Sequence, residues 1–129
     1  MQQNKKRKVN LKQNAYSFLL LHAHLQKRSI NYWRNKSGAE IDFVIRGNNE
    51  NVVHAIECKF SILSDATAPK SIAKNFETFR STYAHGDNYV VAYNIDAPFT
   101  RKYGDVSITF VNAKTLVQLL QNTEHIFMP

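Results

Sequence analysis

The sequence predicts an α/β domain in which helices cover a mixed β-sheet, with the element order α-β-β-β-α-β-β-α. Some short segments carry apolar residues at every second position, the period of a strand, and others at every third or fourth, the period of a helix. The segment from Tyr89 to Tyr93 is nearly all apolar, which suits a strand buried on both faces, as in a parallel pair. Helices and strands mixed along one chain favour a sheet with helices on its faces.

The first helix is expected from about Leu11 to Lys27, where Leu11, Ala15, Phe18, His22 and Leu25 recur at helical spacing. Residues 1–10 are expected to form a flexible basic tail before it. No linker or repeat divides the rest, and 129 residues suffice for one sizeable core. Residues 11–129 are therefore predicted to form a single domain.

Three strands are expected next, at Ile30 to Arg34, Glu40 to Arg46 and Val52 to Phe60. Alternation in the second strand places Ile41, Phe43 and Ile45 on one face and Glu40, Asp42 and Val44 on the other. Turn residues at 47–51 connect the second and third strands, which predicts a hairpin.

The second half of the chain predicts two helices and two strands. Pro69 suits the first turn of a helix with an apolar stripe, and Gly86 suits its end in a left-handed conformation. The stripe consists of Ile72, Phe76, Phe79 and Tyr83. Strands are expected at Tyr89 to Tyr93 and Val106 to Val111, followed by a helix capped by Asn112. That helix carries Ala113, Leu116, Val117 and Leu120 on one face.

Charge and composition indicate a soluble cytoplasmic protein with a polyanionic partner. The single cysteine excludes an internal disulfide, and no apolar run approaches the ~20 residues that span a membrane. Of a net charge of +7, residues 1–39 contribute nine basic residues and no acid. This imbalance favours DNA, since lysine and arginine release counterions from phosphates. The candidate nucleic-acid contacts are Lys5, Lys6, Arg7, Lys8, Arg34, Lys36, Lys70 and Lys74. A solvated tail explains the basic residues 5–8 equally well, and a solvated helix face explains Lys70 and Lys74 equally well.

The predicted hairpin brings together the residues with the clearest chemical potential. Residues two apart in a strand share a face, so Asp42 can lie beside Glu57, with Lys59 on the same face as Glu57. Adjacent carboxylates are costly without a cation, and oxygen ligands favour Mg²⁺ or Mn²⁺. Such an ion can activate a water for attack on a phosphodiester, while Lys59 steadies that water or the developing charge. The alternative is an ordinary solvated strand face, because about 0.4 Glu-x-Lys tripeptides are expected by chance in this composition.

A longer pattern surrounds these residues. The segment Tyr-Trp-Arg-Asn-Lys-Ser-Gly-Ala-Glu-Ile-Asp-Phe-Val-Ile at 32–45, followed by Ala-Ile-Glu-Cys-Lys at 55–59, resembles an uncharacterised domain placed C-terminal to the ATP-binding module of many prokaryotic AAA-type ATPases. That domain is assigned to the PD-(D/E)XK nuclease superfamily, which includes restriction endonucleases. The resemblance extends from about Asn14 to the last helix.

The resemblance implies a restriction-endonuclease-like fold and a Mg²⁺- or Mn²⁺-dependent deoxyribonuclease. Asp42, Glu57 and Lys59 match the catalytic motif, and the backbone carbonyl of Cys58 would lie near the metal. Glu40 matches a glutamate that this family places two residues before the aspartate, which makes it a further candidate ligand of the metal beside Asp42 and Glu57. DNA, a second copy of the chain and an AAA-type ATPase module are the partners that the resemblance implies.

The first helix departs from the family pattern, which often includes a glutamate that reaches the metal. Here the corresponding residues are Gln13-Asn14-Ala15-Tyr16, and no acid precedes Glu40. Two alternatives to a nuclease therefore stay open: a non-catalytic DNA-binding module, and a docking or regulatory domain of an ATPase.

Overall fold

The computed structural model describes residues 30–47, 51–59, 70–92 and 94–125, which form six strands and two helices. The strands are β1 (Ile30–Arg34), β2 (Glu40–Arg46), β3 (Val53–Cys58), β4 (Asn88–Val91), β5 (Phe99–Tyr103) and β6 (Val106–Val111). The helices are α1 (Lys70–Thr82) and α2 (Ala113–His125). The predicted α/β class is confirmed. The predicted basic tail and first helix lie outside the described residues.

All six strands belong to one mixed sheet, in the order β1-β2-β3-β4-β6-β5. The central strands β3, β4 and β6 run parallel to one another, and the outer pairs are antiparallel. The segment from Tyr89 to Tyr93 was expected to be buried because it is nearly all apolar. Its first three residues belong to β4, the buried middle strand of the parallel group. The mixed sheet predicted from the element order is therefore present.

The predicted order is wrong at one point, because β5 is an additional strand between β4 and β6. Its sequence, Phe-Thr-Arg-Lys-Tyr, has exposed residues at its three middle positions. It lies at the edge of the sheet, where one strand neighbour is enough and charged residues are tolerated. Gly104 and Asp105 join it to β6, and such a two-residue turn is the hairpin signal that could have revealed it.

The end of α1 also differs from the prediction. The helix ends at Thr82, so Gly86 is not its terminating residue. Gly86 has a φ of 139°, and a Cβ atom there would lie 2.0 Å from the carbonyl oxygen of Val53. The glycine is needed because the chain passes closely over the start of β3, not because it caps the helix.

The two helices pack on opposite faces of the sheet. On the α1 face, Ile72, Phe76 and Phe79 are buried against the sheet, as the predicted stripe requires. On the α2 face, Leu116 and Leu120 are fully buried. The first turn of α2 is capped as predicted, since the Thr115 N–H donates to Asn112 Oδ1 at 2.8 Å. No helix within the described ranges is long and apolar enough to cross a membrane.

Arg80 anchors the last turn of α1 to the beginnings of the central strands. Its guanidinium donates to Asn88 Oδ1 at 2.8 Å and to the carbonyl oxygens of Val53 at 2.8 Å and Asp87 at 2.9 Å. Burial lowers the pKa of Arg80 to about 10, a fall that the charge of Asp87 opposes. The guanidinium therefore stays charged at neutral pH.

A β-bulge interrupts the alternation of β2. Asn31 pairs with Val44 and Trp33 with Ile41, so three steps along β2 match two along β1. As a result Ile41 joins the apolar cluster under α1, together with Val44, whereas Ile45 lies in the cluster under α2. The predicted placement of Ile41 on the same face as Phe43 and Ile45 is therefore wrong.

Candidate active site

The bulge in β2 lies between Ile41 and Val44, and the backbone pairing of β2 with β3 stops within the same stretch, at Phe43. That pairing runs from Arg46 and Val53 to Phe43 and Ile56. Two residues further, a regular antiparallel ladder would pair Ile41 with Cys58. Instead, the Cys58 N–H donates to Asp42 Oδ2 at 2.9 Å.

A second hydrogen bond runs in the reverse direction. The Asp42 N–H donates to Glu57 Oε1 at 2.8 Å. Each strand thus offers a carboxylate to a backbone N–H of the other strand, and side chains replace the backbone ladder at this point. The arrangement fixes the carboxylates of Asp42 and Glu57 next to each other, as the predicted hairpin required.

Both carboxylates are removed from bulk water to different extents. Glu57 is only 4% exposed, whereas Asp42 is half-buried. A buried charge is unfavourable unless hydrogen bonds or an opposite charge compensate it. The N–H groups of Asp42 and Cys58 supply part of that compensation, and a cation beside the two carboxylates would supply more.

Lys59 follows directly after β3 and continues its pairing with β4. Its N–H donates to the Val91 carbonyl oxygen at 2.8 Å, so the extended conformation persists through this residue. Alternation along β3 places Lys59 on the same face as Glu57 and Ala55, the face covered by α1. The same alternation that predicted Lys59 on the face of Glu57 therefore extends through this half-buried lysine.

Exposed basic side chains lie on the β1–β2 hairpin and on α1. The tip of the hairpin carries Arg34 and Lys36 just before β2, the strand that contains Asp42. Lys70 is the first residue of α1, and Lys74 lies about one turn further along the helix. Lys5, Lys6, Arg7 and Lys8 lie outside the described residues.

The side chain of Asn35 holds the tip of the β1–β2 hairpin through hydrogen bonds, and this residue was not among the predicted site residues. Its side-chain oxygen accepts hydrogen bonds from the Ala39 N–H at 2.9 Å and the Ser37 hydroxyl at 3.0 Å. Gly38 has a φ of 94°, which the turn requires. The Asn-x-Ser-Gly sequence was the available signal, since asparagine and glycine favour such turns.

Glu40, the further candidate ligand, lies on β2 and contacts a side chain of β1. The Tyr32 hydroxyl donates to Glu40 Oε2 at 2.5 Å, and both residues are exposed. This hydrogen bond is the main reason that the pKa of Tyr32 is raised above its usual value. Across the described ranges, no three Asp, Glu, His or Cys side chains come together as a metal-binding group. Among the described residues, Asp42 and Glu57 are thus not joined by a third Asp, Glu, His or Cys side chain.

The pair nevertheless fits a hard divalent cation. Two adjacent carboxylates provide the oxygen donors that Mg²⁺ and Mn²⁺ prefer, and Mg²⁺ commonly binds through one or two carboxylates with water completing its shell. Cys58 contributes backbone only, because its side chain is 1% exposed and packs in the α2 cluster. Its sulfur is buried and behaves as a small apolar group.

These features define an α/β domain with a paired-carboxylate site at a bulged hairpin. The chain belongs to the DUF4143 family, described as a domain of unknown function, whose profile matches residues 13–115. Domains of this family are often found with AAA-type ATPases. A comparison with curated proteins finds no match to the chain.

Proposed function

We propose that this domain hydrolyses phosphodiester bonds in DNA with the help of Mg²⁺ or Mn²⁺, as a PD-(D/E)XK nuclease-like domain. The reciprocal hydrogen bonds that hold Asp42 and Glu57 together at the β2 bulge are the observation that supports it most strongly. β-bulges are enriched beside active sites, where they redirect a side chain. The exposed Arg34 and Lys36 at the tip of the β1–β2 hairpin, just before the strand that carries Asp42, suit a polyanionic substrate.

Each residue of the site has a distinct task in this proposal. Asp42 and Glu57 hold the cation, together with the backbone carbonyl of Cys58. When bound, the cation activates a water and neutralises charge on the phosphate. Lys59 orients the attacking water or stabilises the negative charge that develops on the phosphate oxygens. Arg34, Lys36, Lys70 and Lys74 contact the flanking phosphates, with the basic residues 5–8 as additional contacts.

The experiment that tests the proposal is a cleavage assay on single-stranded, duplex and branched DNA with Mg²⁺ or Mn²⁺. We expect cleavage by the native chain and a loss of at least about 100-fold in Asp42→Asn and in Lys59→Ala. Lys59→Ala should still bind Mn²⁺, because the lysine is not a ligand. Asp96→Asn, an exposed acid on the loop before β5, is the matched control and should cleave normally. A native chain that binds Mn²⁺ but cleaves no DNA form would contradict the proposal.

A non-catalytic DNA-binding domain is the second candidate. The engagement of Glu40 by Tyr32 favours it, since the described residues then offer only two acidic ligands. The absence of acids from residues 1–39 points the same way. This candidate predicts DNA binding that needs no metal and survives Asp42→Ala, with a strong dependence on salt.

Docking to an AAA-type ATPase is the form of this second candidate that the family supports, because its members occur with such ATPases. It predicts weak, non-specific DNA affinity and a tight complex with an ATPase module. A pull-down with such a module, repeated with Asp42→Ala, separates docking from nuclease action. A homodimer, which the resemblance also implied, is tested by the mass of the native chain in light scattering.

A further inference from the structure

An aromatic cleft lies on the sheet beside β1, at some distance from the paired carboxylates. It encloses about 290 Å³ between β1, β2, the start of β3 and the end of α1. Its lining comprises Asn31, Tyr32, Trp33, Val44, Arg46, Val53, Phe79 and Tyr83. Small-molecule sites begin at roughly 300 Å³, so the cleft suits one planar ring system.

The rings of the cleft are held rigidly by one another. Trp33 meets Phe79 edge-on with centroids 5.1 Å apart, and Tyr83 lies 4.9 Å from Phe79 on its other side. Phe79 is fully buried and forms the floor, whereas Trp33 and Tyr83 are half-buried. Tyr32 stands at the rim and is 56% exposed, although large apolar side chains are normally covered.

The cleft is electrostatically suited to a base with its phosphate. Arg46 is exposed and lines the opening, where a guanidinium can contact a phosphate or stack on a base. Glu40 lies beside the rim, where its carboxylate accepts the hydrogen bond from Tyr32. Arg46 lies four residues after Asp42 on β2, about 13 Å along the strand at about 3.3 Å per residue.

We infer that the aromatic cleft binds one unstacked base of a single-stranded nucleic acid whose backbone passes along β2 to Asp42 and Glu57. This inference rests on the proposed function and narrows its substrate to DNA with a single-stranded segment. The bases of an intact duplex are stacked inside the helix and cannot enter a cleft of this kind. Any base can stack on an aromatic ring. The cleft would therefore distinguish single-stranded from duplex nucleic acid without preferring a particular base sequence.

The position of Trp33 provides a direct test, because it is the only tryptophan in the chain. The native protein is titrated, without metal, with a short oligothymidylate, with an abasic oligonucleotide of the same length and with a duplex. We expect the oligothymidylate to change the Trp33 fluorescence saturably, and the other two to leave it unchanged. An equal response to the abasic strand, or no response to the oligothymidylate, would overturn the inference.

Variants of the rim give a second readout, the affinity for the oligothymidylate. Tyr32→Ala should weaken binding by about 5- to 100-fold, the usual effect of removing one stacking ring. Tyr32→Phe keeps the ring and should bind normally. Arg46→Ala should weaken binding, whereas Arg101→Ala, an exposed arginine on the opposite edge strand, should not. Equal affinities in Tyr32→Ala and Tyr32→Phe would contradict the inference.

The Trp33 response to the oligothymidylate and the cleavage of DNA are separate readouts. They therefore distinguish the cleft inference from the nuclease proposal. A saturable Trp33 response without DNA cleavage supports the cleft and contradicts the nuclease. Cleavage that depends on Asp42, without a Trp33 response, supports the nuclease and overturns the cleft.

Discussion

The backbone N–H of Asp42 donates a hydrogen bond to the carboxylate of Glu57 at 2.8 Å, linking two acids on neighbouring strands. In an ordinary antiparallel pair, the backbone of one strand bonds to the backbone of the other. Here the bulge in β2 exchanges that pattern for contacts through side chains. The two carboxylates are consequently positioned by the fold itself, before any ligand arrives.

Replacement of Glu57 should separate its structural contribution from its charge. Glu57→Ala removes the acceptor of the Asp42 N–H and should lower the free energy of unfolding by about 1–3 kcal/mol. Glu57→Gln keeps an oxygen acceptor and removes a buried charge beside Asp42, so its stability without metal should equal or exceed that of the native chain. Urea unfolding measures both. An equal loss in the two variants would show that the hydrogen bond is not the stabilising contact.

The Tyr32–Glu40 contact predicts an unusual tyrosine titration. The neutral Tyr32 hydroxyl donates to Glu40, and a tyrosinate would face that negative charge, so the pKa of Tyr32 is raised. Glu40→Gln should therefore shift one tyrosine to a lower pKa in an ultraviolet titration. Tyr32→Phe should remove the same titration step and so assign it among the six tyrosines. A titration curve unchanged by Glu40→Gln would contradict this contact.

Arg80 should contribute strongly to stability, because it satisfies several backbone and side-chain oxygens at the start of the sheet. Arg80→Met leaves the Val53 and Asp87 carbonyls and the Asn88 amide without this donor, and should cost about 2–4 kcal/mol. Since the pKa of Arg80 is about 10, the difference from the native chain should stay constant through neutral pH. Arg101→Ala, on exposed β5, should change stability by less than about 0.5 kcal/mol.

Gly86 should tolerate substitution far less than Gly38. Both have positive φ values, 139° and 94°, so alanine introduces backbone strain at either position. At Gly86 the new Cβ would also collide with the Val53 carbonyl oxygen, whereas nothing lies within 4 Å at Gly38. We expect Gly38→Ala to cost about 1–2 kcal/mol and Gly86→Ala considerably more, as measured by thermal unfolding. Similar melting temperatures for the two variants would contradict the close approach.

Strong periodic patterns made much of this fold predictable from sequence. β1, β2 and β6 have the predicted bounds, because each is a short segment with clear apolar residues between turn signals. The strand β5 was missed since an edge strand buries little and its Arg101 and Lys102 resemble loop residues. The position of Ile41 was mispredicted because a bulge adds one residue without any sign in the alternation.

The proximity of Asp42 to Glu57 was predictable from the sequence, but the contacts between them were not. The hairpin predicted from the turn residues at 47–51 sufficed to bring Asp42 beside Glu57. The exchange of hydrogen bonds between their carboxylates and the backbone depends on the bulge, which local sequence does not encode clearly. The pairing of Glu40 with Tyr32 likewise depends on the register of β1 with β2, a tertiary property.

Mn²⁺ calorimetry tests whether Asp42 and Glu57 form a divalent-cation site. The native chain is compared with an Asp42→Ala, Glu57→Ala double variant and with an Asp96→Asn, Asp105→Asn control, which removes two exposed acids elsewhere. We expect saturable Mn²⁺ binding by the native chain and by the control, and no Mn²⁺ binding by the double variant. No binding by the native chain, or binding that survives in the double variant, would contradict the proposed site.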